Sequence, residues 1–332
     1  MFDFSVVSGK DVTEILKDHE KDVVAIVRSA YLTHETGESI NPDSYFLRFP
    51  DKPDSRIIAL PAYLGGEVGM AGIKWIGSFP GNVATGRPRA SAVLVLNDYE
   101  TGYPVAVLEA AGISAARTAA SAALAATVLG GSTAASVGVV GAGVIARTIC
   151  AYLAAAGFSL SDMRCHDLDS GSVQALAGHL RGQYDAGVRI VDLDGALDCD
   201  LVVLATTAAT PYITEPGSLR PGQVVLNISL RDLDPVLLLG ADNILDDIEH
   251  CMKANTSPHL AEQLTGNRDF VTGTLAGVIR GRDELDPARP TVFSPFGLGV
   301  LDLAVGHYVH EQAKSTGRTI EVPDFFGETT RW

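Results

Sequence analysis

The feature that most constrains this chain is residues 136–146, SVGVVGAGVIA. A β-branched run, Val137, Val139 and Val140, meets Gly141-Ala142-Gly143, and the chain continues through Val144-Ile145-Ala146 into RTICAYLAAAG. That order predicts a buried strand, a tight turn and the first turn of a helix, with Ala146 in the third small position of G-x-G-x-x-G/A. Gly141 permits the turn, Gly143 lets backbone approach a pyrophosphate, and Ala146 lets helix pack on strand. The first helical residues, Val144 and Ile145, then offer free N–H groups to phosphate. The alternative is a Gly-rich core bend that binds nothing. What favours a dinucleotide is the second strand within MRCHDLD, which ends at Asp167, about where a ribose-binding carboxylate belongs. Asp167 would accept from a ribose 2′-hydroxyl and repel a 2′-phosphate, and no arginine follows it in DLDSGS. NAD is therefore expected rather than NADP.

Beyond the turn, strand and helix patterns alternate. A helix is expected over 170–184, strands over 188–191, 201–205, 224–227 and 243–245, helix over 247–279, and a further strand at Thr291-Val292-Phe293. Such alternation means βαβ units and a doubly wound parallel sheet. Before the turn the texture differs. Ser8-Gly9-Lys10-Asp11 opens amphipathic helix carrying Val12, Ile15, Leu16, Val23, Ile26, Val27 and Ala30, with a break near 18–22. The runs YFLRF, RIIALPAYL, GMAGIKWIG, ASAVLVLND and PVAVLEA then predict an antiparallel or mixed sheet. An Ala-rich helix over 114–129 closes at Gly130-Gly131, a candidate hinge, and a last apolar helix over 297–316 crosses back. The expected fold is α/β: a Rossmann-type doubly wound NAD-binding domain at 131–297, plus an α+β substrate and dimerisation domain at 1–130 and 298–332, completed by the C-terminal helix.

A formal charge of −15 argues against nucleic acid and anionic membrane as partners. Met1 runs directly into FDFSVVSGKDV without a basic and then apolar leader, and no run of about 18 apolar residues appears, so a soluble cytoplasmic protein is expected. Cys150, Cys165, Cys199 and Cys251 form no C-x-x-C pair, which predicts reduced, buried thiols and no metal site.

An acidic chain that binds an anion must gather its cations locally. Arg48, Arg56, Lys74, Arg87, Arg89 and Arg117 all lie in the first domain, several in apolar contexts. Lys74, between Ile73 and Trp75 on a strand, is expected to face inward or into a cleft. Arg117 interrupts an alanine helix. Surface ion pairs would explain each one singly. As a set they point to a receptor for a small polycarboxylate, because buried cations are costly without a compensating anion. In the second domain Asp232, in LNISLRDLDP, lies just beyond the 224–227 strand, where open α/β sheets bind ligands. Catalysis or substrate contact stands there against simple helix capping; Asp234, before Pro235, is the expected N-cap.

Together GIKWIGSFPGN, ETGYP, AARTAASAALAA, VGVVGAGVIA, NISLRDLDP and SPFGLGVLDLA resemble the ornithine cyclodeaminase/mu-crystallin family over nearly the whole chain. FLRFPDKPDSRIIALPA, RPRASAVLVLNDYETGYP and FSPFGLGVLDLA resemble the branch acting on N-(2-amino-2-carboxyethyl)-L-glutamate in siderophore and antibiotic pathways. The resemblance implies a homodimer contacting through the first domain, carboxylate contacts from Arg48, Lys74 and Arg117, and a catalytic Asp232 with Lys74 as helper. It also implies NAD-dependent oxidation at the glutamate α-carbon, then hydrolysis of the imine to 2-oxoglutarate and L-2,3-diaminopropionate. At Ala59 the chain departs from the cyclodeaminases, which carry there an acid that holds the substrate's distal amine. The rival activities are an ornithine or lysine cyclodeaminase, another amino-acid dehydrogenase or a ketimine reductase. The rival without turnover is a dinucleotide-dependent sensor or ligand-binding protein.

Overall fold

A computed structural model describes residues 3–328, 330 and 331. Met1, Phe2, Thr329 and Trp332, which the expected first domain includes, lie outside the described residues. The chain divides into two compact units, one made of residues up to Arg117 and from Leu298 onward, the other of Thr118–Gly297.

The first unit opens with β1 (Ser5–Val7), α1 (Gly9–Leu16) and α2 (Glu20–Glu35). Ser8 caps α1 by accepting from the Asp11 amide, and Asp18, at φ 62°, makes the break expected before α2. There follow β2 (Ser39–Ile40), β3 (Tyr45–Phe49), β4 (Lys52–Leu64), β5 (Met70–Ser78), β6 (Ala90–Asp98) and β7 (Pro104–Glu109). Helix α3 (Ala111–Val128) comes next. The division between units falls within α3, whereas Gly130, at φ 91°, forms the left-handed turn after it.

The second unit starts its sheet at β8 (Val137–Val140), followed by α4 (Val144–Ala155), β9 (Met163–His166), α5 (Ser170–Tyr184) and β10 (Val188–Ile190). It continues with α6 (Leu193–Leu197), β11 (Leu201–Leu204), β12 (Val224–Asn227), α7 (Pro235–Leu238), β13 (Asp242–Leu245), α8 (Ile248–Cys251) and α9 (Ser257–Thr265). It ends with β14 (Val271–Thr274), α10 (Leu275–Ile279) and β15 (Thr291–Ser294). The strands lie in the order β10-β9-β8-β11-β12-β15-β13-β14, every pair parallel. This is the doubly wound Rossmann-type sheet. The strands β8, β11, β12, β13 and β15 are buried at every residue, as a parallel sheet covered on both faces requires. The expectation of helix throughout 247–279 is corrected by β14, a four-residue edge strand with a glycine in its interior.

The chain returns to the first unit as α11 (Gly299–Ser315) and β16 (Ile320–Glu321). The first sheet runs β16-β1-β7-β6-β5-β4-β2, with β3 also paired to β4; β1 is parallel to β7, and the other pairs are antiparallel. Helix α11 packs on β4, β5 and β6 and against α2. Strand pleating sorts the side chains. Leu60, Lys74 and Leu94 are direct cross-strand partners and share a face; Ala59, Trp75 and Val93 share the other. The first face is covered, with Leu94 at 0% exposure, while the second leaves Trp75 42% and Val93 40% exposed. Tyr45, opposite Ala59, and Leu47, opposite Ile57, extend that open face at 69% and 47%.

Candidate functional site

In the second unit the Gly-rich turn joins β8 to α4 as expected. Gly141 takes φ 94°, and a Cβ there would stand 2.4 Å from the Ala205 carbonyl oxygen, so only glycine fits. Gly143 is the N-cap of α4, with no side chain capping the helix and no atom within 4 Å of where its Cβ would be. Val144 and Ile145 therefore open the helix beside free space, with Val144 57% exposed, while Ala146 is fully buried beneath. The structure brings Asp167 to this turn. Its Oδ2 accepts the Ala142 amide at 2.7 Å and its Oδ1 the Asp169 amide at 2.8 Å, which fixes the carboxylate beside the glycines. Leu168 next to it is 99% exposed, an apolar surface with no cover. An uncapped helix N-terminus, space over Gly143, a fixed carboxylate and an open apolar side chain together fit a dinucleotide.

Asp232 lies beyond β12 with 0% exposure. Thr206 Oγ1 donates to Oδ1 at 2.8 Å, and Ser229 Oγ and the Tyr212 hydroxyl donate to Oδ2 at 2.5 and 3.2 Å. Burial pushes its carboxyl above the usual range, and the hydroxyls of Ser229, Thr206 and Tyr212 pull the other way. Burial beside Asp232 likewise pushes the Tyr212 phenol up. Capping, the rival role for Asp232, goes instead to Asp234, which accepts the Val236 amide at 2.9 Å as α7 begins at Pro235.

In the first unit Lys74 is 2% exposed, facing inward as its strand context predicts. Its Nζ donates to Asp302 Oδ2 at 2.6 Å and to Ser114 Oγ at 3.1 Å. Arg117, with its side chain 11% exposed, donates through Nε to Asp302 Oδ1 at 3.1 Å. The explanation by surface ion pairs is thus corrected for these two. Lys74 is buried, Arg117 nearly so, and they share one internal carboxylate, since a cation removed from water needs a compensating anion. Burial and the neighbouring Arg117 pull the Lys74 ammonium down and Asp302 holds it up, leaving it at about 8. Arg48 stands apart on β3, exposed, its guanidinium carbon 5.2 Å from the Phe46 ring centre; Arg56 is its cross-strand partner. Arg87 and Arg89 are exposed beyond the short 3-10 turn Pro80–Thr85. Ala59 also needs correcting. It pairs with Trp75, on the face opposite Lys74, and the residue directly across from Lys74 is Leu60. The β4 residues nearest Lys74 on its face, Ile58, Leu60 and Ala62, are apolar, and Asp54 lies further along the strand at the same parity.

Sequence reasoning missed Asp302, Ser114, Thr206, Tyr212 and Ser229. The signal used for Lys74, a charge among apolar residues, was present for Asp302 in GVLDLAVG. Among the described residues no group of three or more His, Cys, Asp or Glu is placed to hold a metal, and no helix is long and apolar enough to cross a membrane. All four cysteines are free and buried.

Comparison with known proteins places these parts in context. The profile of the ornithine cyclodeaminase/mu-crystallin family matches residues 6–317. N-((2S)-2-amino-2-carboxyethyl)-L-glutamate dehydrogenase of Staphylococcus aureus is 27% identical over 323 residues, covering 92% of this chain and 94% of that protein. The structure of Thermococcus litoralis Δ1-pyrroline-2-carboxylate reductase with NADH and L-proline superposes with a TM-score of 0.89 at 22% identity, covering 96% of this chain and all of that one. An archaeal alanine dehydrogenase dimer with bound NAD gives a TM-score of 0.86 at 23% identity, over 97% and 100%.

Proposed function

Because this chain belongs to the ornithine cyclodeaminase/mu-crystallin family, we propose that it is an NAD-dependent oxidoreductase that cleaves N-(2-amino-2-carboxyethyl)-L-glutamate to 2-oxoglutarate and L-2,3-diaminopropionate. It would thereby supply a siderophore or peptide-antibiotic pathway in the cytoplasm. The observation that carries this reading is the charge pattern of the first unit. Buried Lys74 and nearly buried Arg117 share the one carboxylate of Asp302, which leaves them a net positive charge, and the β4 residues beside Lys74, Ile58, Leu60 and Ala62, add no acid to grip a distal amine. A substrate carboxylate suits that net charge, and a second cationic amine beside it does not. The similarity to a dehydrogenase named for this amine agrees with it.

The reaction consumes the secondary amine, NAD and water, and yields 2-oxoglutarate, diaminopropionate, NADH and a proton. When bound, NAD supplies the hydride acceptor. Residues 141–145, Gly141, Ala142, Gly143, Val144 and Ile145, would hold its pyrophosphate with backbone amides, and Asp167 would hold the adenosine ribose. Arg117 has spent only Nε on Asp302 among the described residues, so its terminal nitrogens and the third Lys74 donor can hold a substrate carboxylate. Arg48 adds charge for a further one. Asp232 takes the proton the amine loses and activates the water that splits the imine, with Lys74 as helper. Its raised carboxyl is suited to both directions of proton transfer.

The protein would act as a homodimer through the first unit, whose open face of Tyr45, Leu47, Trp75 and Val93 is apolar. The test is incubation with NAD and the glutamate-linked amine, following absorbance of NADH and identifying products by mass spectrometry. Stoichiometric NADH, 2-oxoglutarate and diaminopropionate are expected. Proline from ornithine would instead make this a cyclodeaminase, and binding without turnover would make it a sensor.

A further inference from the structure

Asp302 takes no step in that chemistry, yet both Lys74 and Arg117 turn to it. We propose that Asp302 is a positioning residue of the substrate seat: it sets Lys74 and Arg117 at a fixed spacing and offsets one of their two charges, so that the seat takes a single carboxylate. This rests on the functional reading just given, in which those two cations hold substrate.

The geometry divides the work between the two carboxylate oxygens, Oδ2 to Lys74 Nζ at 2.6 Å and Oδ1 to Arg117 Nε at 3.1 Å. A planar carboxylate shared in this way fixes the distance between its partners to the width of the group itself. Asp302 is immobile in turn. It is 0% exposed, in the first turn of α11, where a negative charge is favoured by the helix dipole. Two cations and one anion leave one net positive charge, which a single carboxylate neutralises. Without Asp302 the seat would hold two positive charges out of water.

The groups that face Lys74 are few. Asp302 comes from α11, Arg117 and Ser114 from α3, and the flanking strands β4 and β6 present Leu60 and Leu94. Burial and Arg117 both pull the ammonium down, and Asp302 supplies what holds it up. Removing Asp302 therefore makes Lys74 lose its proton at lower pH.

The test uses full-length protein with ¹³C-labelled lysine, the Lys74 Cε resonance being assigned by its loss in Lys74→Arg. Wild type should titrate with a midpoint at about 8. Asp302→Asn should move that midpoint down by at least about one unit, tenfold in proton affinity. Asp302→Glu, which keeps the charge but displaces it, should leave the midpoint in place and raise KM by about tenfold or more. An unmoved midpoint in a folded Asp302→Asn protein would overturn the proposal. If the Asn variant does not fold, the Glu variant decides, and an unchanged KM there overturns it. A merely structural Asp302 would lower the melting temperature in both variants but leave the KM of Asp302→Glu unchanged. Should wild type produce no NADH from the amine, the functional reading fails on its own, and the titration still judges the coupling of Lys74 to Asp302.

Discussion

At the scale of single residues, the carboxylates divide by environment. Asp167 is held by two backbone amides, and Asp232, at 0% exposure, by three hydroxyls. The first arrangement suits a fixed acceptor, the second a group that exchanges protons. Asp232→Asn keeps the volume but cannot carry the proton, so kcat should fall by about a hundredfold or more with NAD affinity unchanged. Steady-state kinetics beside a cofactor titration would show this, and wild-type turnover would remove Asp232 from the chemistry. Asp167→Ser should narrow the preference for NAD over NADP by about tenfold, through loss of one charge-assisted contact and of repulsion toward a 2′-phosphate. Equilibrium titration with both cofactors reads it; an unchanged ratio would detach Asp167 from the ribose. Lys74 and Arg117 were legible because a charge in an apolar run has few innocent explanations. Asp302 carried the same signal, but its pairing with them did not show, since it lies 228 residues from Lys74 and no local pattern joins such distant positions.

Elements follow a similar division. Helix α5 spans Ser170–Tyr184, the expected 170–184, with Asp169 as its cap, and α7 starts at Pro235 behind Asp234 as expected. Strand β14 was hidden because four residues, VTGT, carry too short a pattern and join the sheet only at its edge. The two-residue β2 and β16 are set by pairing with neighbours rather than by anything local. Strand β8 shows how closely elements meet in the second sheet. At Gly138 a Cβ would stand 1.9 Å from the Ala196 carbonyl oxygen on α6, a backbone atom that cannot turn aside. Gly138→Ala should force β8 and α6 apart and cost about 1 to 3 kcal/mol. Urea unfolding followed by circular dichroism measures it; an unchanged midpoint would mean that α6 shifts freely.

For the whole molecule, charge and apolar surface oppose each other. In the proposed homodimer each copy carries a formal −15, so two copies repel, while the open face of Tyr45, Leu47, Trp75 and Val93 would favour their union. Salt should accordingly tighten the dimer, because screening weakens the repulsion and leaves the apolar contact intact. Trp75→Glu should shift the protein toward monomer. Light scattering across salt concentrations checks both, and a dimer indifferent to that substitution would place the contact elsewhere. The division into a parallel and a mixed sheet was legible from the change in texture at the Gly-rich turn. The assignment of each side chain to a face of the first sheet was not, because a shift of one residue in register reverses it, as Ala59 and Leu60 illustrate.

The return of the chain to its first unit has a consequence for synthesis. Strands β4, β5 and β6 leave the ribosome long before α11, the helix that packs on them. At about 5 to 20 residues per second, the 228 residues between Lys74 and Asp302 take roughly ten to forty-five seconds to make. Through that interval the nascent sheet has neither its cover nor its counter-charge, and it cannot close while the doubly wound unit is being made. The second unit, one continuous segment, can complete itself first. The part of the protein translated earliest is therefore the last to become native, and a ribosome that stalls before residue 298 leaves an uncovered sheet for chaperones to shield or proteases to remove.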